Sequence, residues 1–183
     1  MDMGIYFKMS DLDETNRSEK ECYEDTKNTP QKGDFMFAPK QILVPTDFSG
    51  YSDKALKEAI DIAKQQGSTI HLLHVINIVQ QCAVDYCMDS GMLAELEKQS
   101  TERANKMMAE ERDKFPESKA VTIIPEVRKG TPYEEILKNQ KEKNIDLIVI
   151  ASHGTTGLLN YLMGSVADKV TKGAKCPVLL LRS

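Results

Sequence analysis

A length of 183 residues suits one domain with a sizeable core and an appendage. The net charge of −4, without a long run of lysine or arginine, argues against a nucleic-acid surface or an anionic membrane as partner. No stretch approaches the roughly 20 apolar residues that cross a bilayer, and the first residues lack the apolar run of a secretory signal. We therefore expect a cytoplasmic protein, whose four scattered cysteines (Cys22, Cys82, Cys87, Cys176) are free thiols.

Residues 1–39 are polar, charged and aperiodic, so they predict a flexible tail that cannot bury enough apolar surface to fold. The domain is expected to cover residues 40–183, and Met36 is a plausible natural start. Residues 1–35 are expected to be dispensable for folding. The alternative is that apolar residues of the tail, such as Tyr6 and Phe7, dock on the domain or on a dimer partner.

From residue 40 onward, short apolar runs alternate with segments of helical periodicity. The predicted strands are 41–46, 69–76, 119–127, 146–151 and 177–181. The first predicted helix ends at Gly67, and a long helix carrying core positions Leu96, Met107 and Met108 ends near Phe115. A third helix begins at Thr131-Pro132, where a cap residue precedes a proline, and a fourth covers 164–172.

This alternation predicts an α/β fold with an open, five-stranded, mostly parallel sheet and helices on both faces, a Rossmann-like arrangement. In such a sheet, ligands bind beyond the carboxyl ends of the strands, where the strand order reverses. The residues that directly follow each strand are therefore the candidates for function.

Two strand ends carry the candidate residues. The first strand ends in Val44-Pro45-Thr46-Asp47. The fourth ends in Ala151-Ser152-His153-Gly154, and Gly164-Ser165-Val166 follows at a predicted helix start. Glycines let a backbone approach phosphate closely, and the amides of a helix N-terminus attract anions. The sequence therefore predicts a phosphate cradle between Gly154 and the amides of residues 164–166.

Over residues 40–183 the chain resembles the universal stress protein family. The resemblance rests on ordered motifs: Ile-Leu-Val-Pro-Thr-Asp-Phe-Ser, Leu-Leu-His-Val, Gly-Thr-Pro, Ala-Ser-His-Gly-x9-Gly-Ser-Val and Cys-Pro-Val-Leu-Leu-Leu. Nucleotide-binding members of that family carry Gly-x2-Gly-x9-Gly-Ser/Thr. Gly154, Gly164 and Ser165 match this motif, whereas Ala151 replaces its first glycine, a substitution that weakens the motif without abolishing it.

The resemblance implies an adenine nucleotide as ligand, with ATP favoured over AMP or ADP, and Mg²⁺ or Mn²⁺ bound through the phosphates. Pro45, Thr46 and Asp47 would line the ribose and adenine side, and Val75 would present its backbone to the base. The phosphate side would consist of Ala151, His153, Gly154, Gly164, Ser165 and Val166. The resemblance also implies a homodimer formed through the last strand, Pro177 to Leu181.

Structural roles remain open for several of these residues. Ser165 and Asp47 are both good helix caps and could serve only that purpose. His153 is a conceivable general base, but no adjacent nucleophile and acid support it, so polar packing is the simpler interpretation. His71 and His74, three residues apart on a strand, point to opposite faces and cannot share a metal ion.

Three functions compete. The first is a stress-response or regulatory protein that binds ATP and hydrolyses it little or not at all, because the sequence offers no arginine finger and no carboxylate that would orient water. The second, which Ala151 favours, is a nucleotide-free module that works through dimer contacts. The third, an adenylate-transferring enzyme of a related fold, lacks an evident catalytic motif.

Overall fold

Five strands form one parallel sheet in the order β3-β2-β1-β4-β5. The strands are β1 Gln41–Thr46, β2 Thr69–Asn77, β3 Thr122–Gly130, β4 Leu147–Ala151 and β5 Val178–Leu181. The computed structural model describes residues 37–77, 90–154 and 163–182. Residues 1–36 of the predicted tail, with Cys22, Cys82 and Cys87, lie outside these ranges. The predicted α/β fold with a parallel sheet is confirmed.

Four α-helices and one short 3₁₀ helix accompany the strands in the described ranges. They are α1 Gly50–Gln66, α2 Ser90–Asp113, the 3₁₀ helix Pro116–Ala120, α3 Pro132–Glu142 and α4 Ser165–Gly173. Helix α1 begins at the N-cap Ser49, whose side chain accepts a hydrogen bond from the amide of Ser52. It ends, as predicted, at Gly67, which adopts a left-handed conformation at φ 66° that glycine tolerates best.

The core lies on both faces of the sheet. On one face, α1 and α2 cover a cluster that includes Ile42, Val44, Leu56 and Met108. On the other face, α3 and α4 cover a second cluster that includes Leu43, Ile136, Ile148 and Val170. Consecutive β1 residues thus alternate between two buried faces, which explains why the strand reads as a continuous apolar run.

Two predictions about the middle of the chain are wrong. The third strand begins at Thr122 and not at residue 119, because residues 116–120 form the 3₁₀ helix. Leu96 is 39% exposed and not part of the core. All described side chains of α2 up to residue 99 are exposed, so the apolar face of this helix packs against the sheet only from the buried Ala104 onward. In the described ranges, no helix has the length and apolar character needed to span a membrane.

Candidate functional site

The strand order reverses at β1. The chain moves from β1 to β2 and β3 on one side and then returns to place β4 and β5 on the other side. Strands β1 and β4 are therefore neighbours whose following helices, α1 and α4, cover opposite faces, and in open parallel sheets this arrangement forms a crevice at the carboxyl ends of the two strands. Thr46 and Asp47 stand at the end of β1, and Ala151 to Gly154 stand at the end of β4.

Asp47 and Gly154 lie in direct contact across this crevice. A Cβ atom built on Gly154 would collide with Oδ2 of the Asp47 carboxyl. The other carboxyl oxygen, Oδ1, accepts hydrogen bonds from the amide of Ser49 at 3.1 Å and from its hydroxyl at 2.6 Å. Glycine at position 154 thus lets the β4 loop approach the carboxyl group of Asp47 without displacing that side chain.

Gly164 packs against the same loop. Its amide donates a hydrogen bond to the carbonyl oxygen of Ser152 at 2.7 Å, and an added Cβ would lie 3.2 Å from that oxygen. Gly164 is also the N-cap of α4, and this glycine has no side chain with which to cap the helix. The N-terminus of α4, with Ser165 and Val166 at its first two positions, is therefore held beside the end of β4.

Neither proposed capping role holds. Ser165 is exposed at the first helical position, one residue after the N-cap Gly164, so its hydroxyl does not cap α4. Asp47 does not cap α1 either, because Ser49 is the N-cap. Instead, Asp47 accepts a hydrogen bond from the hydroxyl of Ser49 and so holds this capping side chain in place.

Thr46 turns its side chain away from the crevice. It is buried at 6% exposure, and its hydroxyl contacts the hydroxyl of Ser52 at 3.1 Å and a carboxyl oxygen of Glu111 at 3.3 Å. The same hydroxyl oxygen accepts a hydrogen bond from the amide of Phe48 at 3.0 Å. The side chain of Thr46 thus ties the 46–49 turn to α1 and α2.

The remaining sequence-predicted residues line the strands around the crevice. Pro45 is half-buried opposite Leu73, and Val75 packs against the core on the α3 and α4 face. Val166 packs against that core as well. The methyl group of Ala151 packs against the cluster on the opposite face, under α1.

His153 is held by its neighbour. Its Nδ1 atom is hydrogen-bonded to the hydroxyl of Ser152 at 2.8 Å, and its ring centre lies 6.1 Å from that of Tyr51. Its Nε2 atom is buried and has no hydrogen-bond partner among the described residues. These contacts favour polar packing over general-base chemistry for this histidine.

Sequence reasoning missed the unusual backbone of the turn after β1. Phe48 has φ 61°, a conformation that is strained for a bulky residue. Its ring stacks on His74 at a centroid distance of 4.3 Å, and Nδ1 of His74 donates to the carbonyl oxygen of Thr46 at 2.9 Å. Burial lowers the pKa of His74, which keeps the ring neutral with a proton on the donating nitrogen. A Phe placed between two turn-forming residues gives no sequence signal for this geometry.

Among the described residues, no group of three His, Cys, Asp or Glu side chains is arranged to hold a metal ion. The candidate site is thus an uncapped helix N-terminus, two closely packed glycines and one carboxyl group at a strand-order reversal. These features define an α/β protein with an open parallel sheet whose candidate ligand site is built largely from backbone. The model of the universal stress protein family matches residues 39–182, so the chain belongs to this family.

Individual relatives agree with this assignment. The universal stress protein MJ0531 of Methanocaldococcus jannaschii is 35% identical over 78% of this chain and 82% of its own length. The solved structure of MJ0577, from the same organism, superposes with a TM-score of 0.69 at 31% identity, covering 79% of this chain and 96% of that one. A universal stress protein crystallised in complex with cAMP shares the fold, with a TM-score of 0.58 at 20% identity, covering 79% of this chain and 98% of that one.

Proposed function

We propose that this member of the universal stress protein family binds an adenine nucleotide, with ATP the favoured ligand, in the crevice between β1 and β4. The observation that carries the proposal is the contact between Asp47 and Gly154 beside the uncapped N-terminus of α4. It places a hydrogen-bond acceptor and a group of backbone donors at one strand-order reversal.

The phosphates belong on the glycine side. Gly154 and Gly164 bear no side chain, and Gly164 leaves the first amides of α4 without a side-chain cap. The partial positive charge of a helix N-terminus attracts an anion there, and the exposed hydroxyl of Ser165 adds a neutral donor. Mg²⁺ or Mn²⁺ would be held through the phosphate oxygens, as the family resemblance implies.

The sugar and base belong on the β1 and β2 side. Asp47 offers carboxyl oxygens to ribose hydroxyls, while Pro45 and Val75 supply apolar surface beside them. A related fold accommodates a ligand of this class, since a universal stress protein has been crystallised with cAMP. Hydrolysis is expected to be slow or absent, because His153 is hydrogen-bonded to Ser152 and not placed as a base beside a nucleophile.

The test starts with the ligand. Full-length protein purified from cells is denatured, and released nucleotide is identified by mass spectrometry. Calorimetric titration with ATP, ADP, AMP and cAMP in the presence of Mg²⁺ then ranks the ligands.

Binding should be lost in Gly164→Val, whose branched side chain intrudes where phosphate must approach amides. Gly50→Ala is the matched control, since a Cβ atom there meets nothing within 4 Å. Absence of nucleotide together with absence of titratable binding would refute the proposal.

We also propose a homodimer formed through the last strand, from Pro177 to Leu181. Strand β5 pairs with β4 and ends the order of the sheet, so within the described residues its outer edge pairs with no further strand and could pair with a second copy. Light scattering of the full chain over a range of concentrations should give twice the monomer mass. A monomeric mass with no bound nucleotide would contradict both this proposal and the alternative function, a nucleotide-free dimeric module.

A further inference from the structure

A buried carboxyl group lies directly beneath the proposed nucleotide site. Glu111, in the last turn of α2, is only 5% exposed. Its Oε1 atom lies 3.3 Å from the hydroxyl oxygen of Thr46, the oxygen that also accepts the amide of Phe48. Glu111 is therefore one hydrogen bond away from the turn that carries Asp47.

The hydroxyl groups around Thr46 do not supply enough protons for the contacts that they make. The hydroxyl of Ser52 donates its one proton to the carbonyl oxygen of Ser49 at 2.9 Å. The hydroxyl of Thr46 can then donate its one proton either to the hydroxyl oxygen of Ser52, at 3.1 Å, or to a carboxyl oxygen of Glu111, at 3.3 Å. It cannot donate to both. A proton on Glu111 would supply the missing donor and complete the bonding of the Thr46 hydroxyl.

A second contact makes the same demand. The carboxyl groups of Glu111 and Asp53 both contact the ammonium group of Lys114, and two ionised carboxyl groups held beside one cation repel each other unless one of them is protonated. Oδ1 of Asp53 is buried and has no hydrogen-bond partner among the described residues, while Oδ2 is paired with Lys114. A proton on Glu111 relieves this repulsion and supplies a donor to Thr46, whereas an ionised Glu111 can only accept the Thr46 proton and thereby takes it from Ser52.

The charged groups that face Glu111 come from the elements packed around it. Asp53 lies on α1, and Lys114 follows α2 with its ammonium 3.7 Å from the Glu111 carboxyl. Strand β1 contributes the uncharged Thr46. Burial, reinforced by Asp53 and opposed by Lys114 and Thr46, raises the pKa of Glu111 to about 7. The group therefore changes charge in the range where a cell regulates its pH.

We propose that protonated Glu111 is a positioning residue that holds the 46–49 turn with Asp47 against Gly154, so that loss of its proton weakens nucleotide binding. This inference rests on the proposed nucleotide site and adds a proton-linked control to it. The physical route runs from Glu111 through the hydroxyl of Thr46 to the amide of Phe48, and so to Asp47, its neighbour in the chain.

The first measurement needs no nucleotide. In the full-length protein, the NMR signal of the Phe48 amide should shift with pH, with a midpoint near the pKa of Glu111. Glu111→Gln replaces the acid by an isosteric, permanently neutral donor and should abolish this transition. Thr46→Val should abolish it as well, because it removes the hydroxyl that relays the change. Glu110→Gln, at an exposed position on the same helix, is the matched control and should leave the transition unchanged.

The second measurement is the affinity for Mg²⁺-ATP by calorimetry over the same pH range. Wild type and Glu110→Gln should lose affinity by about tenfold as pH rises through the transition, whereas Glu111→Gln should keep its low-pH affinity. Titration of the ATP phosphates affects all variants equally and cancels in this comparison. A Phe48 transition that persists in Glu111→Gln, or equal affinity profiles in wild type and Glu111→Gln, would overturn the inference. If no variant binds nucleotide at any pH, the proposed function fails, while the NMR titration still decides the role of Glu111 in the turn.

Discussion

At Gly154 a single methyl group should be enough to damage the site. In Gly154→Ala, the new Cβ collides with the carboxyl group of Asp47, so either the carboxyl or the β4 loop must move. We expect a loss of about 1–3 kcal/mol in the free energy of unfolding, together with a large loss of nucleotide affinity. Thermal unfolding and calorimetric titration measure the two effects. Gly50→Ala should change neither, and an undamaged Gly154→Ala would mean that Asp47 does not face the crevice.

Ala151 illustrates how the structure changes the meaning of a motif. Its methyl group packs against the core under α1, so Ala151→Gly removes a core contact and adds backbone freedom to the unfolded chain. We expect thermal stability to fall by about 1 kcal/mol and nucleotide affinity to stay nearly constant. A tenfold change in affinity at unchanged stability would show that the methyl group reaches the ligand.

The raised pKa of Glu111 also predicts how stability depends on pH. The unfolded chain titrates near the ordinary value of 4.5, and the folded chain near about 7. The folded state therefore binds more protons between these values, so this group stabilises the fold fully at low pH and loses that contribution as pH rises through about 7. Urea unfolding should show a downward slope over this range that is absent in Glu111→Gln. Equal slopes in the two proteins would contradict the assignment.

At the scale of elements, the two helices that flank the site begin differently, and matched serine variants should show it. Ser49 caps α1 and also donates to Asp47, so Ser49→Ala should cost about 1 kcal/mol of stability and weaken nucleotide binding. Ser165 caps nothing, so Ser165→Ala should weaken binding without a stability cost. A drop in melting temperature for Ser165→Ala comparable to that of Ser49→Ala would mean that both serines act as caps.

Local chemistry explains which elements could be predicted. Single residues predicted two helix ends. Gly67 predicted the end of α1 and Pro132 predicted the start of α3, and both predictions are confirmed. Thr131 is the N-cap of α3 as predicted, although its side chain makes no capping hydrogen bond. The alternation of apolar runs and helical segments was likewise sufficient for the α/β fold.

Features that depend on distant residues could not be predicted. Leu96 falls at a helical core spacing, but whether it is buried depends on where α2 crosses the sheet. The role of Thr46 depends on Glu111, 65 positions away in the sequence, and no local pattern links them. Contact between Asp47 and Gly154 follows from the order of the strands, which was expected only as a general rule for such sheets.

At the scale of the whole molecule, we propose that residues 40–183 form the domain and that the preceding tail is dispensable. A chain that begins at Met36 should therefore match the full chain in melting temperature and in affinity for ATP. The physical reason is that the polar tail has little apolar surface to bury. Thermal unfolding and titration of both chains provide the test. A loss of several degrees or of most affinity in the shorter chain would show that the tail docks on the domain.

The central position of β1 has a consequence for synthesis of the protein. One edge of β1 pairs with β2, which follows within about 30 residues. The strand that pairs with its other edge, β4, is synthesised roughly 100 residues later. While the ribosome adds those residues, the apolar edge of β1 is open to other nascent chains and to chaperones. A ligand that needs both Asp47 and Gly154 cannot protect these early intermediates, because its second contact does not yet exist. A nucleotide bound at the proposed site would therefore stabilise this protein against heat or proteolysis only after translation is nearly complete.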